Sequence, residues 1–171
     1  MINGEQVLKY KYSSLGEDIQ VSGIDLRIGE LYEFLNEDGL YGLFEDEKLN
    51  QKIRKVSYNG NFNDKKVWEL LPHKPYLAEV VNDIEISEDS AQSYYPRSTL
   101  LRNGVTVHTA WGDTGYNGKL MFLIINNNDM SYYLEKNVRF VQLIDHQVYG
   151  AVGTYDGDYQ HNKHMQKMED R

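Results

Sequence analysis

Asp113 and Tyr116 are the residues of this chain whose types and spacing point most directly to chemistry. They lie in the turn sequence Asp-Thr-Gly-Tyr-Asn-Gly, where the glycines permit tight backbone geometry, so an acid and a ring can project together from a rigid sheet. Such a carboxylate can accept a proton from a water molecule and fix its line of attack. The alternative is that Asp113 only caps a turn and that Tyr116 packs on its own sheet.

Hydrogen-bond donors precede this turn at Arg97, Ser98 and Thr99. A guanidinium, two hydroxyls and the backbone N–H groups of one turn suit the oxygens of a polyphosphate. Further along, Gln142 places an amide in a run of mostly apolar residues, and a polar group there needs a partner. The turn at Arg97–Thr99 therefore indicates a group that binds phosphate, whereas Gln142 indicates only a polar contact.

Short β-type runs separated by turn residues must position these groups, and several of the runs alternate apolar and polar residues. The predicted fold class is therefore all-β, a sandwich or barrel, preceded by a short N-terminal helix over Asn3–Tyr12 with Asn3 as its cap. The predicted strands are Ile24–Ile28, Leu31–Leu35, Tyr76–Val81, Asp83–Ser87, Val105–Ala110, Leu120–Asn126, Tyr132–Leu134 and Val138–Ile144.

The chain of 171 residues is predicted to form a single domain, 1–171, because no linker or repeat divides it. Residues 45–66 are rich in charged residues and Asn and are expected to be a polar surface excursion, with a turn at Ser57–Asn61. Residues 162–171 are polar throughout and are expected to be a mobile tail.

The amino-acid composition limits the classes of molecule that the protein is expected to bind. A net charge of −8 and a pI near 5.1 argue against nucleic acid, although a few arginines and a divalent cation could still neutralise a triphosphate. The chain has no cysteine, which excludes disulfides and thiol chemistry and favours a cytoplasmic location. No signal peptide or membrane span is expected, since the longest apolar run is Leu120–Ile125.

Several motifs, in order, carry a family resemblance. They are Ser22–Gly29, the run Arg97–Gly104 with the Asp113 turn after it, Arg139–Leu143 and Tyr155–Gln160. In order and spacing they resemble the motifs of the trimeric dUTPase and dCTP deaminase superfamily. The resemblance implies a distorted jelly roll, the β-clip fold of dUTPases, and a homotrimer whose active sites are shared between subunits.

The resemblance also implies roles for individual residues. Asp113 would activate the water that attacks the α-phosphate, and Tyr116 would pack against the deoxyribose and leave no room for a 2′-hydroxyl. The implied contacts to the rest of the substrate come from Arg97, Ser98, Thr99, Gln142 and Tyr159. Arg102 matches an arginine of the deaminase branch, and a surface salt bridge is an equally good interpretation of it. Arg139 is expected to brace the loops, and Asp25 is expected to do the same through a paired charge.

Departures from the family pattern separate its two activities. Counting from Asp113 places Leu123 where deaminases use a glutamate to move protons, and leucine cannot do this. The glycine-rich motif that closes over the triphosphate in most dUTPases is absent, so only Tyr155–Gln160 could substitute for it. Asp158 replaces a lysine in that segment and would repel a γ-phosphate.

The function expected from these features is hydrolysis of dUTP to dUMP and pyrophosphate. Mg²⁺ is the expected cofactor, held mainly by the substrate phosphates and water rather than by a protein metal site. Hydrolysis of dCTP or of a broader set of deoxynucleoside triphosphates, and a non-catalytic nucleotide-binding regulator, remain alternatives, with deamination of dCTP less favoured. His161 and His164 have the spacing of a metal-binding pair, but a solvated tail explains them better.

Overall fold

The computed structural model describes residues 1–35, 39, 41–45, 47–150 and 153–162. Its helices are α1 (Glu5–Lys11) and α2 (Ser98–Arg102), with short 3₁₀ segments at Ser13–Asp18 and Gln160–Asn162. Its strands are β1 (Ile24–Phe34), β2 (Gly42–Leu43), β3 (Lys48–Leu49), β4 (Ile53–Lys55), β5 (Gly60–Phe62), β6 (Lys65–Leu70), β7 (Pro75–Val80), β8 (Ile84–Glu85), β9 (Ser90–Pro96), β10 (Val105–His108), β11 (Asn117–Gly118), β12 (Met121–Asn126), β13 (Tyr132–Glu135) and β14 (Arg139–Gln147).

A seven-stranded antiparallel sheet organises the molecule, in the order β10-β12-β7-β1-β14-β9, with β4 paired to β1. Strand β1 joins its two halves: residues 24–27 pair with β14, and residues 28–33 pair with β7. The register shifts beside Gly29, where an added Cβ would lie 3.1 Å from the Cα of Val81. The two runs predicted as separate strands, Ile24–Ile28 and Leu31–Leu35, are therefore one strand with a bulge.

Side-chain alternation places the core on one face of this sheet. In β12, Phe122 and Ile124 are buried whereas Met121 and Leu123 lie on the opposite face. Phe122 packs against the rings of Tyr94 and Phe140 at centroid distances of 5.2 and 5.9 Å. The predicted all-β class and distorted jelly roll are confirmed, and the strand β9, which no apolar alternation indicated, completes the sheet.

The N-terminal helix forms as predicted but is not capped as predicted. Gly4, not Asn3, occupies the N-cap position of α1, and no side chain bonds to the first turn. Asn3 is buried, and its amide donates a hydrogen bond to the carboxylate of Asp145 in β14. A buried charge stabilises a nearby donor more than an exposed helix end does, so the tertiary contact overrides the local preference.

Residues 45–66, expected to be a surface excursion, are mostly exposed but also pair with the body of the molecule. Ile53 in β4 is buried and packs with Tyr32 beneath the main sheet. The hairpin of β5 and β6 turns at Asn63 and Asp64, whose φ angles are +50° and +63°. The turn expected at Ser57–Asn61 is therefore wrong: Asn and Asp tolerate the left-handed backbone at the observed tip.

Trp68 is the core residue of β6, and its replacement tests how much the core contributes to stability. Its side chain is fully buried, its indole N–H donates to the carbonyl of Val56 at 3.0 Å, and its ring packs on Tyr58. We expect Trp68→Ala to lower the free energy of unfolding by about 3–5 kcal/mol because it leaves a large cavity. Urea denaturation measures this, with Phe62→Ala as the exposed aromatic control, expected to change stability by less than about 0.5 kcal/mol.

Candidate active site

Backbone pairing with β9 places Asp113 beside the main sheet. Gly112 exchanges two backbone hydrogen bonds with Gln92, at 2.8 Å from its own N–H and 2.9 Å from that of Gln92. Asp113 follows immediately and is exposed. The turn after it closes with the N–H of Tyr116 bonded to the carbonyl of Asp113 at 3.2 Å. The carboxylate therefore leaves a rigid sheet edge at a defined point.

A cavity of about 530 Å³ opens beside this carboxylate. It is lined by the turn itself and by aromatic and apolar groups, and of the described residues that line it Asp113 is the only carboxylate. The full lining is Asn50, Leu77, Ala110, Trp111, Gly112, Asp113, Tyr116, Lys119, Leu120, Met121, Tyr155 and Tyr159. A largely apolar cleft with a few polar groups has the character of a small-molecule site.

Tyr116 forms one wall of this cavity. It is buried, its ring meets that of Tyr155 edge-on at a centroid distance of 5.8 Å, and its hydroxyl donates to the carbonyl of Lys119 at 2.8 Å. Burial raises the pKa of Tyr116 to about 12, so the hydroxyl stays protonated near neutral pH. The ring is thus held in one orientation against the space next to Asp113.

Trp111 is a cavity residue that the sequence reasoning missed. It is 57% exposed yet held in place, because its ring stacks on His146 of β14 with centroids 5.5 Å apart. The imidazole of His146 is in turn within 2.8 Å of the hydroxyl of Ser93. A tryptophan two residues before the candidate acid was a signal available from the sequence, and its exposure makes a flat surface for a planar ligand.

The C-terminal segment 153–162 lies across the Asp113 turn. Gln160 accepts a hydrogen bond from the N–H of Asn117 at 2.8 Å and donates one to the carbonyl of Gly115 at 2.9 Å. Tyr155 bonds through its N–H to the carbonyl of Thr114 at 2.7 Å. This segment carries Tyr159 to the cavity.

Asp158, whose charge was expected to repel a phosphate, is paired with Lys48. The ammonium of Lys48 lies 2.7 Å from the Asp158 carboxylate and 5.6 Å from the ring centroid of Tyr159. The carboxylate also makes the largest contribution to a raised pKa of Lys48, through a hydrogen bond. The negative charge expected to repel a phosphate is therefore paired with a cation from residues 45–66, a segment to which the sequence analysis gave no role.

A second cavity, of about 480 Å³, collects the predicted phosphate ligands Arg97, Ser98 and Gln142. Gln142 stands between Asp25 on β1 and Tyr95 on β9 in the sheet register. Asp25 accepts a hydrogen bond from Arg139 at 3.2 Å, and its carboxylate is 3.6 Å from the guanidinium of Arg97. The paired charge expected at Asp25 is thus shared between Arg139 and Arg97.

Two predicted substrate residues lie apart from this set. Thr99 is exposed on α2, where the sequence suggested an open turn, and its carbonyl accepts bonds from Asn103. Arg102 lies at the other end of α2 and lines a third cavity with Asn103 and Asp129. The structure groups neither of them with Arg97.

The two main cavities are separate within one chain. Gly112 lies opposite Gln92, and Arg97 follows five residues later along the same strand direction. At about 3.3 Å per residue, Arg97 is roughly 16 Å from the Asp113 segment. The cavities share no lining residue. One chain therefore presents a carboxylate with a ring in one place and cationic phosphate ligands in another.

The described residues offer few groups that could hold a metal ion. Within the part of the chain that the structure describes, no three His, Asp or Glu side chains cluster closely enough to bind a metal ion. His161 is exposed at the end of the described segment, and His164 lies outside the described residues, as does the predicted tail beyond Asn162. No helix of the described chain is long and apolar enough to cross a membrane.

Known proteins resemble this chain in sequence over most of its length. Residues 3–148 match the dCTP deaminase-like family, and the chain belongs to that family. It is 40% identical over 161 residues to a protein of Methanopyrus kandleri named probable deoxyuridine 5′-triphosphate nucleotidohydrolase, a match that covers 93% of this chain and 99% of the relative. A Methanothermobacter thermautotrophicus protein of the same name is 39% identical over 160 residues, covering 94% and 99%.

A solved structure supports the fold independently. The crystal structure of 2′-deoxycytidine 5′-triphosphate deaminase from Agrobacterium tumefaciens superposes with a TM-score of 0.63 at 15% identity. The match covers 84% of this chain and 47% of the deaminase chain. At that identity the likeness concerns the fold alone.

Leu123 lies on the face of β12 that borders this cleft, although its side chain does not line the cavity. Alternation places it on the same face of β12 as Met121, which lines the cavity, and its cross-strand neighbour Leu77 lines the cavity too. That strand face is therefore apolar at position 123, where deamination would require a proton-transferring glutamate.

Gln160 gives a test of the C-terminal segment. We expect Gln160→Ala to loosen residues 153–162 because both bonds to the Asp113 turn are lost. Hydrogen exchange should then accelerate at the amides of Asn117 and Tyr155, by about tenfold for each ~1.4 kcal/mol of local stability lost. Gln6→Ala, an exposed glutamine on α1, is the control. Unchanged exchange at both amides would show that the segment is held by other contacts.

Proposed function

We propose that this protein hydrolyses dUTP to dUMP and pyrophosphate. The observation that carries the proposal is a single carboxylate, Asp113, at the mouth of a largely apolar cleft beside the buried ring of Tyr116. Relatives that are 39–40% identical over nearly their whole length are named as dUTP nucleotidohydrolases, which supports this substrate. Trp111 and Tyr159 add flat surfaces suited to a nucleotide.

In this mechanism the Asp113 carboxylate accepts a proton from a water molecule. The water oxygen bonds to the α-phosphorus, the bond from that phosphorus to the bridging oxygen breaks, and pyrophosphate leaves with the electron pair. Tyr116 fills the space against the 2′ carbon of the sugar, and its fixed ring leaves no room for a ribose hydroxyl. Because Asp113 is negatively charged, it repels the phosphates and leaves them to bind the protein's cations.

Mg²⁺ is the cofactor that we propose for this reaction. It supplies neutralisation of the triphosphate charge and is held in most such sites by phosphate oxygens and water rather than by a protein cage. The described residues fit that arrangement, since they contain no three-group acidic or histidine cluster and Asp113 is the one carboxylate of those that line the cleft. The chain's own contribution is to orient the attacking water.

We also propose that the active site is completed by a second copy of the chain, in a homotrimer. The cluster of Arg97, Ser98 and Gln142 lines a separate cavity, roughly 16 Å along the strand from the Asp113 segment, and shares no lining residue with the Asp113 cleft. Exposed apolar residues surround this cluster, with Val21 77%, Tyr95 57% and Leu101 64% exposed. Such a surface suits burial against a neighbouring copy that supplies its own Asp113 turn.

Asp113→Asn tests the mechanism. We expect kcat for pyrophosphate release from dUTP with Mg²⁺ to fall by about 10²–10⁴-fold, because the amide cannot accept the proton. The KM should change much less, since the side chain keeps its shape. Asp129→Asn is the matched control, as that carboxylate is 98% exposed and does not line the cleft. An Asp113→Asn enzyme as active as the wild type would exclude this mechanism.

The same assay separates the alternatives. Comparing dUTP with dCTP and the other deoxynucleoside triphosphates shows whether hydrolysis is broader than proposed. A protein that binds a nucleotide without turning any over would be a regulator, for which the lack of the usual closing motif is the supporting observation. Ammonia release from dCTP would overturn the argument from Leu123.

Complementation tests the shared site. Asp113→Asn and Arg97→Ala are each expected to be inactive as pure preparations. Co-expressed at equal levels, they should regain activity corresponding to about a quarter of the sites, because random mixing joins an intact Asp113 to an intact Arg97 at that frequency. Activity that stays at the sum of the two pure variants would place the whole site within one chain.

A further inference from the structure

We infer that Gln92 is a positioning residue for the catalytic carboxylate, holding the Gly112–Asp113 backbone through a buried hydrogen-bond network that begins in the N-terminal segment. This inference rests on the proposed function, because it assigns Asp113 as the group that is positioned. Gln92 itself is fully buried in β9 and lines neither of the two main cavities. Its effect on the reaction must therefore pass through Gly112.

The network starts from a buried charge. Asp145 in β14 is fully buried, and its carboxylate accepts hydrogen bonds from the hydroxyl of Tyr12 at 2.8 Å and from the amide of Asn3. Lys11 contributes an ammonium 3.6 Å from the same carboxylate. Burial and the nearby Asp145 charge raise the pKa of Tyr12, so its hydroxyl remains a donor. The N-terminal segment is thereby fixed to the main sheet.

Gln92 connects this charge to the site. Its side-chain amide donates to the hydroxyl oxygen of Tyr12 at 2.7 Å, and its side-chain oxygen accepts from the hydroxyl of Tyr94 at 2.9 Å. Both ends of the amide are therefore occupied, which fixes its rotamer and the β9 backbone that carries it. That backbone makes both hydrogen bonds to Gly112.

The fit at Gly112 shows how closely the two segments approach. A Cβ added to Gly112 would lie 2.3 Å from the hydroxyl oxygen of Tyr94 and 3.0 Å from the Cβ of Gln92. The hydroxyl that Gln92 holds is thus the surface on which Gly112 rests. Because Asp113 is the next residue, a shift of that hydroxyl or of β9 is transmitted to the carboxylate.

A shift of the Asp113 carboxylate would lower the catalytic rate because proton transfer depends on the position of the acceptor. An error of about 1 Å in the position of a catalytic group can cost roughly 10²-fold in rate. Substrate contacts need not change, since the cleft walls at Tyr116, Trp111 and Tyr159 are held by other contacts. Loss of the network should therefore act on kcat rather than on KM.

Gln92→Leu is the first test. We expect kcat for pyrophosphate release from dUTP to fall by about 10- to 100-fold with KM changed by less than about threefold. The matched control is Asn126→Leu, which removes another fully buried amide, at the far end of β12, with bonds to the carbonyls of Leu70 and Met130. A kcat equal to that of the control would overturn the inference.

A second variant covers the possibility that Gln92→Leu folds poorly because it leaves the Tyr94 hydroxyl buried without its acceptor. Gln92→Leu with Tyr94→Phe removes both partners, a change that is often close to neutral for stability. We expect this double variant to show the same loss of kcat. A folded double variant with wild-type kcat would contradict the inference.

A double-mutant cycle distinguishes positioning from general destabilisation. In the Asp113→Asn background, Gln92→Leu should cause no further loss of kcat, because the group that it positions is already disabled. Multiplied losses would mean that Gln92 acts on the fold and not through Asp113, and would overturn the inference.

Amide exchange separates failure of this inference from failure of the proposed function. A wild-type protein that releases no pyrophosphate from dUTP would contradict the proposed function. The positioning role is then decided by the exchange rate of the Gly112 amide, which Gln92→Leu should raise while Asn126→Leu leaves it unchanged. Equal exchange in both variants would rule out the positioning role.

Discussion

The antiparallel register of β14 is the constraint on which the rest of the structure depends. This strand bonds to β1 along one edge and to β9 along the other, so a single register sets the neighbours of both cavities. It places Gln142 between Asp25 and Tyr95, and it places Asp145 opposite Gln92. A slip of one residue would turn Gln142 into the core and Asp145 toward solvent. Both the phosphate cluster and the network behind Asp113 would be lost together.

Two buried carboxylates show how the fold uses charge. Asp145 is surrounded mainly by neutral donors with one lysine near it, which ties the N-terminal segment to the sheet. Asp25 lies between Arg97 and Arg139, and its carboxylate holds both guanidinium groups close to a surface cavity. Removing Asp145 would leave the buried Asn3 amide and Tyr12 hydroxyl without their acceptor, which costs more than each hydrogen bond contributes. A protein of net charge −8 can thereby present a local positive site.

The sequence predicted best what depends on short-range spacing. The Asp113 turn and a paired charge at Asp25 followed from motif order and residue type, whereas β9 was missed because its run of Ser, Gln and Tyr has no apolar alternation. Contacts between distant segments were beyond such reasoning. The salt bridge of Lys48 to Asp158 joins residues 110 positions apart, and the bond of Asn3 to Asp145 replaces a helix cap. No local pattern encodes either contact.

The apolar strand face at Leu123 links the fold to the choice of reaction. Deamination needs a group that carries protons at the base, and the cleft presents Leu77 and Met121 beside this position instead. In the proposed hydrolysis the acceptor for the proton of the attacking water is Asp113, which lines the same cleft as Tyr116. The same sheet that buries Phe122 and Ile124 on one face thus places Met121 and Leu123 on the other, so the alternation of β12 sets the apolar character of the strand face beside the cleft.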